Sequence, residues 1–100
     1  MQVNITARHF KAHDSIREYA ESEIEKLTKY YEHLIKAEVI LSFEKAVNSV
    51  KSAEIVISSN NHHVFTAKES SDDYIVSIEK AIHKLAAQIR KYKEKITSHH

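Results

Sequence analysis

Residues 72–96 read DDYIVSIEKAIHKLAAQIRKYKEKI, with apolar side chains at Ile75, Ile78, Ile82, Leu85, Ile89, Tyr92 and Ile96 in steps of three and four. At about 100° per residue these fall on one helical face, which predicts a long amphipathic helix closing over a core. The same spacing sets Lys80, Lys84, Lys91 and Lys95 in a narrow stripe on the opposite side, with Arg90 and Lys93 on its flanks. Asp72 and Asp73 open the segment and the cations gather toward its end, the arrangement that a helix dipole favours.

Outward from this helix, the chain ahead of it supplies what it must cover. Residues 2–9, QVNITARH, alternate with Val3, Ile5 and Ala7 on one side and read as a strand. Ser15 with Glu18 resembles a capping box near Asp14, and Ile16, Ala20, Ile24, Leu27, Tyr31 and Leu34 then predict a helix to about residue 33. Its outer face carries Glu18, Glu21, Glu25 and Glu32, with Lys26 and Lys29 on one flank and Arg17 on the other. From Lys36 the period becomes two, and Ala37, Val39, Leu41 and Phe43 define the inner face of a second strand. After a polar connection at 45–50, a third strand runs over 51–59 with Ala53, Ile55 and Ile57 inward. Asn60-Asn61 predicts a tight turn, because asparagine tolerates positive φ best after glycine. A fourth strand covers about 62–68, and either Val64/Thr66 or Phe65/Ala67 can face inward.

The order β-α-β-β-β-α makes the chain α+β. Two helices with one apolar face each are buried together only if they share one side of a four-stranded sheet, leaving the other side to solvent. The strand-helix-strand unit predicts a right-handed crossover with parallel strands if these are adjacent, and the remaining strands an antiparallel meander.

Composition excludes several classes of function. One hundred residues suit one domain, set at 1–96 with a disordered tail at 97–100. With no glycine, the chain cannot form a phosphate-cradling loop or a nucleophile elbow, and with no cysteine it forms no disulfide. No apolar run is long enough to span a bilayer and no signal peptide is evident, so the expectation is a cytoplasmic protein with no membrane partner. The eight histidines show no helical metal-ligand spacing, since His9 and His13 span a strand end and a loop, and no nucleophile-base pattern occurs. The chain is therefore read as no enzyme, with no cofactor, metal or small-molecule substrate. Net charge is only +1, yet residues 80–95 hold six cations against one anion, Glu94, for a balance of +5. Residues 14–32 hold six anions against Arg17, Lys26 and Lys29, for a balance of −3. The polarisation, not the total, points to an anionic partner.

The element order, with MQVNIT at the start, IREYAESEIEKLTKYYEHL in the first helix and DDYIVSIEKAIHKLAAQIRKYKEK in the last, resembles the ribosome hibernation-promoting factor family. That family includes ribosome-associated inhibitor A and proteins first labelled sigma-54 modulation proteins. The resemblance extends from Met1 to Ile96 and, by length, to the short form that lacks a second, dimerising domain. It implies a fold like that of double-stranded-RNA-binding domains. It also implies a stress or stationary-phase factor that occupies the decoding region of the small ribosomal subunit, contacting its RNA and neighbouring ribosomal proteins. Such a factor blocks messenger RNA and tRNA, silences translation, and can favour paired inactive ribosomes with a separate dimerisation factor. The family's cations match Arg17, Lys26, Lys84, Lys91, Lys93 and Lys95; with Lys29, Lys80 and Arg90 these are the expected RNA-binding residues. The sequence departs from the family pattern at Ala87, where arginine is common, and at Asn60-Asn61, where the turn is commonly Asn-Gly.

Lysines suit a ribosomal RNA partner, because each phosphate they neutralise releases counterions. They position without reading bases. Ordinary double-stranded-RNA modules use basic residues at the start of the last helix, whereas Asp72 and Asp73 stand there, which favours docking into a shaped RNA cleft over generic duplex binding. On residues alone, a lysine face is ordinarily a solvated surface, and the resemblance decides between the two. Tyr19, Tyr30, Tyr31 and Tyr92 border the core and are expected to pack rather than stack on bases. The alternative reading is a protein-interaction regulator of the sigma-54-modulator type, using the open sheet face around Ile40 and Val56 or an edge strand.

Overall fold

The computed structural model describes residues 1–44 and 50–97. It contains β1 (Gln2–Ala7), α1 (Asp14–Leu27), β2 (Leu34–Glu44), β3 (Val50–Ser59), β4 (Val64–Ser71) and α2 (Tyr74–Thr97). The sheet order is β1-β2-β3-β4. β1 runs parallel to β2, with Gln2 opposite Lys36 and Ala7 opposite Leu41, and the β2-β3 and β3-β4 pairs are antiparallel. Every second strand residue faces the helices, as strand geometry requires. Ala37, Val39, Leu41, Ala53, Ile55, Ile57, Phe65 and Ala67 are buried there against Ala20, Ile24 and Leu27 of α1 and Ile78, Ala81, Ile82, Leu85 and Ile89 of α2. Among the described residues no helix is long and apolar enough to cross a membrane.

The ends of the elements follow local chemistry. Asp73 caps α2 by accepting the Ile75 N–H at 2.8 Å, so the helix opens at Tyr74 rather than Asp72. Ser77, fully buried one turn on, donates to the Lys51 carbonyl at 2.7 Å and lies 2.7 Å from the Ser71 hydroxyl, which leaves no buried polar atom orphaned at this junction. The Tyr74 hydroxyl donates to the Ser42 carbonyl at 2.9 Å, and burial pushes its phenol above the ordinary tyrosine range. The Ser15–Glu18 capping box does not form; His13 is the N-cap, with no side-chain cap bond.

Several expected boundaries move. α1 stops at Leu27, not about residue 33, because the N–H groups of Thr28, Lys29 and Tyr30 turn back to Glu25, Lys26 and Leu27 in tight three-residue turns. Tyr31 and Leu34 still reach the core, but from a turn and from the first residue of β2. β1 ends at Ala7 because His9 takes φ 67°. β4 spans 64–71 instead of 62–68 and turns Phe65 and Ala67 inward, which resolves its register. The connection expected at 45–50 lies outside the described residues apart from Val50, and so does the tail beyond Thr97.

Positive φ in the β3-β4 hairpin falls on His62 (67°), not on Asn60 or Asn61. Both asparagines are engaged elsewhere. The Asn60 N–H donates to the His33 carbonyl at 2.8 Å, while the Asn61 amide donates to the hydroxyls of Tyr31 (3.2 Å) and Tyr92 (2.8 Å). Asn61 thus ties the hairpin to the α1-β2 connection and to α2. Asn61→Ala is expected to lower stability by about 1–2 kcal/mol, read from the midpoint of urea unfolding, because two hydroxyls lose a fixed donor.

One consequence of this topology governs the surface. β1 ends opposite Leu41 and β4 ends opposite Lys51, so both helices begin at the Glu44 end of the sheet and run toward the Leu34/Ser59 end. The helices are parallel, and both carboxyl-terminal dipole ends come together beside the β3-β4 hairpin.

Candidate nucleic-acid interface

Six of the nine expected cations collect at that shared end. Lys26 occupies the last turn of α1 and Lys29 follows it, while Arg90, Lys91, Lys93 and Lys95 occupy the last two turns of α2. Parallel helices double the partial negative charge at one end of the molecule, and cations at both carboxyl termini are the local answer to it. Lys80 lies on the crest of α2, roughly 15 Å toward its start from Arg90, and Arg17 sits half-buried roughly 14 Å up α1 from Lys26. These two extend the surface rather than joining the cluster. Ala87, on the crest between them and the cluster, is exposed and adds no charge.

The lysine stripe does not stand opposite the core along its whole length, since Lys80 lies on the crest but Lys84 does not. Ser77 and Ala81, too small to register in the apolar spacing, are fully buried and widen the inner arc of α2 toward β4. Lys84 therefore lies at the edge of that arc and ion-pairs with Glu69 of β4. Gln88, on the same side, donates to the Thr66 carbonyl at 2.9 Å, so that α2 covers part of the edge of β4.

Other cations have partners too. Lys26 pairs with Glu23 at 2.6 Å, and that hydrogen bond and charge raise its pKa, so it stays fully charged at neutral pH. Lys93 donates to the Tyr30 carbonyl at 3.0 Å, bridging α2 to the end of α1. The side chains of Arg17, Lys29, Lys80, Arg90 and Lys91 make no hydrogen bond or ion pair among the described residues, which leaves their charge for a partner.

Two concavities shape the cluster. A groove of about 340 Å³ between the helices is lined by Lys26, Tyr30, His83 and Arg90. A larger one of about 720 Å³, under the hairpin, is lined by Lys29, Tyr30, His33, Asn60, Lys93 and Ile96. Tyr31 and Tyr92 pack as expected, Tyr92 edge-on to Phe65 and stacked on His63 at 4.0 Å, and Tyr19 is half-buried. Tyr30 departs from the expectation. It is 48% exposed because the chain leaves α1 before it, and adjacent residues in the turn then point opposite ways, Tyr31 in and Tyr30 out. Among the described residues no group of His, Cys, Asp and Glu gathers as metal ligands.

The open sheet face offers less. Across the strands Ile40 faces Glu54, Val56 faces Glu38 and Thr66, and Val64 faces Ser58, so its apolar residues alternate with polar ones. That interleaving suits solvent better than a continuous protein-docking patch.

Comparisons with known proteins bear on the same features. The chain is 28% identical over 99 residues to the ribosome hibernation promoting factor of Escherichia coli K12, covering 99% of this chain and 100% of that protein. It is 34% identical over 98 residues to the ribosome hibernation promotion factor of a Picosynechococcus species, covering 95% of this chain and 50% of that longer protein. Two solved structures share the fold: the N-terminal domain of Thermus thermophilus Protein Y (TM-score 0.81, 24% identity, 92% of this chain and 99% of that one) and a ribosomal subunit interface protein from Coxiella burnetii (TM-score 0.83, 20% identity, 94% and 99%). The family model described as sigma 54 modulation protein / S30EA ribosomal protein matches residues 3–97, and the chain belongs to that family.

Proposed function

We propose that this protein is a ribosome hibernation factor that binds the small ribosomal subunit in its decoding region, excludes messenger RNA and tRNA, and silences translation by occupancy, without chemistry. The observation that carries the reading is the gathering of Lys26, Lys29, Arg90, Lys91, Lys93 and Lys95 at the joint carboxyl-terminal end of two parallel helices. Family membership and relatives named as ribosome hibernation factors support a ribosomal partner for that cationic end. Lys80, Lys84 and Arg17 extend the contact along the helices, and the cleft supplies the shape selection that phosphate contacts cannot. The same occupancy stabilises paired, inactive ribosomes where a separate dimerisation factor is present.

Sedimentation through sucrose with purified small subunits tests the reading. About one protein per subunit is expected at physiological salt, with binding that weakens steeply as salt rises. Failure to cosediment at physiological salt overturns it, and salt-insensitive binding lost on Val56→Asp would favour docking of a protein partner on the sheet face.

The Lys84–Glu69 pair yields a second expectation. Glu69 holds one of the RNA-facing lysines, so RNA must compete for it; Glu69→Gln is expected to tighten binding to small subunits about two- to fivefold in equilibrium titrations.

A further inference from the structure

We propose that Tyr30 is a stacking platform for an unpaired nucleotide of the RNA strand, with the cations on either side of it holding the flanking phosphates. The inference rests on the ribosomal reading for its RNA partner and deepens it by assigning a base-contacting residue.

Tyr30 is the one exposed aromatic side chain among the tyrosines and phenylalanines of the chain, all of which lie in the described residues. It forms the ridge shared by the two concavities, with Lys26 and Arg90 on the interhelical side and Lys29 and Lys93 on the hairpin side. An aromatic ring flanked on both sides by cations is the pattern by which single-stranded nucleic acid is bound: bases stack on the ring and the backbone tracks the positive groove. Each concavity also holds one anion: Glu23, paired with Lys26, on the interhelical side, and Glu32, 4.0 Å from His33, on the hairpin side. Two cations against one anion leave both sides of the ring net positive.

The platform is also held in place. The Tyr30 N–H donates to the Leu27 carbonyl at 3.0 Å and its own carbonyl accepts from Lys93 at 3.0 Å, so both backbone polar groups of the residue are tied. The next residue, Tyr31, is buried and fixed by Asn61. A ring on a fixed backbone loses little freedom when a base stacks on it. Duplex RNA, whose bases are already stacked, offers no face to this ring, so the site selects unpaired strands.

The test uses a short single-stranded RNA carrying a fluorescent adenine analogue, the same strand in a duplex, and purified small subunits. The native chain should quench the analogue in the single strand and bind the duplex more weakly. Tyr30→Leu should lose the quenching and bind the single strand about 5- to 100-fold more weakly, while Tyr30→Phe stays near native. Since Tyr30 lies on the surface and removes no charge, the slope of log affinity against log salt should be unchanged in Tyr30→Leu and should flatten in Lys29→Gln with Lys93→Gln. Native-like affinity and quenching in Tyr30→Leu, or equal affinity for single strand and duplex, overturns the proposal. If the strand is bound as expected but small subunits are not, the stacking site stands and the ribosomal reading falls.

Discussion

Replacing Arg90 and Lys91 together by glutamate is expected to weaken binding to small ribosomal subunits by about 10²- to 10⁴-fold while lowering the free energy of unfolding by no more than about 1–2 kcal/mol, the cost of setting two acids near the carboxyl end of α2. Each charge-assisted hydrogen bond to phosphate contributes about 1.5–3 kcal/mol, and a factor of ten in affinity corresponds to about 1.4 kcal/mol, so the two lost contacts account for that range before any repulsion is added. The two residues sample both halves of the cationic end. Arg90 lines the interhelical groove with Lys26, and Lys91 stands about 100° around the helix on the side of Lys84. Neither side chain has a hydrogen-bond or ion-pair partner among the described residues, so reversal breaks no such bond in the fold. Lys84 is the poorer choice for such a test, since Lys84→Glu would set two carboxylates against each other at Glu69 and confound binding with stability. Losing two phosphate contacts should also flatten the salt dependence by about 1.5 in log-log slope. Titration of labelled protein against subunits at several salt concentrations reads both quantities. Unchanged affinity would remove the end of α2 from the interface.

The order of elements was readable because each changes the hydrophobic period cleanly: Val3, Ile5 and Ala7 alternate, Ala20, Ile24 and Leu27 do not, and Ala37, Val39 and Leu41 alternate again. The end of α1 was not readable. Tyr31 and Leu34 continue the helical spacing, and only the contacts with Asn61 and Ser59, from a hairpin 30 and 25 residues away, show that they are reached by a turn and a strand. The cations were recognisable by type and by helix phase. Their convergence was hidden, because it depends on the two helices being parallel, which is a property of strand order rather than of any single segment. Glu69 and Tyr30 were missed for related reasons. The partner of Lys84 lies on another element, and of two adjacent tyrosines the sequence does not say which faces in.

The register of β4 provides the second large effect. Phe65 and Val64 are equally apolar neighbours, and a slip of one residue would exchange the two faces of the strand. Phe65 is 2% exposed, with its ring 5.4 Å from Tyr92 and 4.6 Å from His63, both edge-on, while Thr66 points to the open face. Phe65→Ala is therefore expected to lower the free energy of unfolding by about 3–5 kcal/mol, a large share of the roughly 5–15 kcal/mol typical of a domain. Thr66→Ala should cost no more than about 1 kcal/mol. Urea unfolding of both variants, with the dependence on denaturant unchanged, reads the difference; equal costs would mean the strand faces the other way. The loss at Phe65 should also reach the RNA surface. Tyr92 rests on Phe65 and, through Asn61, shares its hydroxyl anchor with Tyr31, the residue beside Tyr30. At temperatures where Phe65→Ala remains folded, its affinity for single-stranded RNA should fall with no change in salt slope, because what loosens is the support of the ring and not the charge around it.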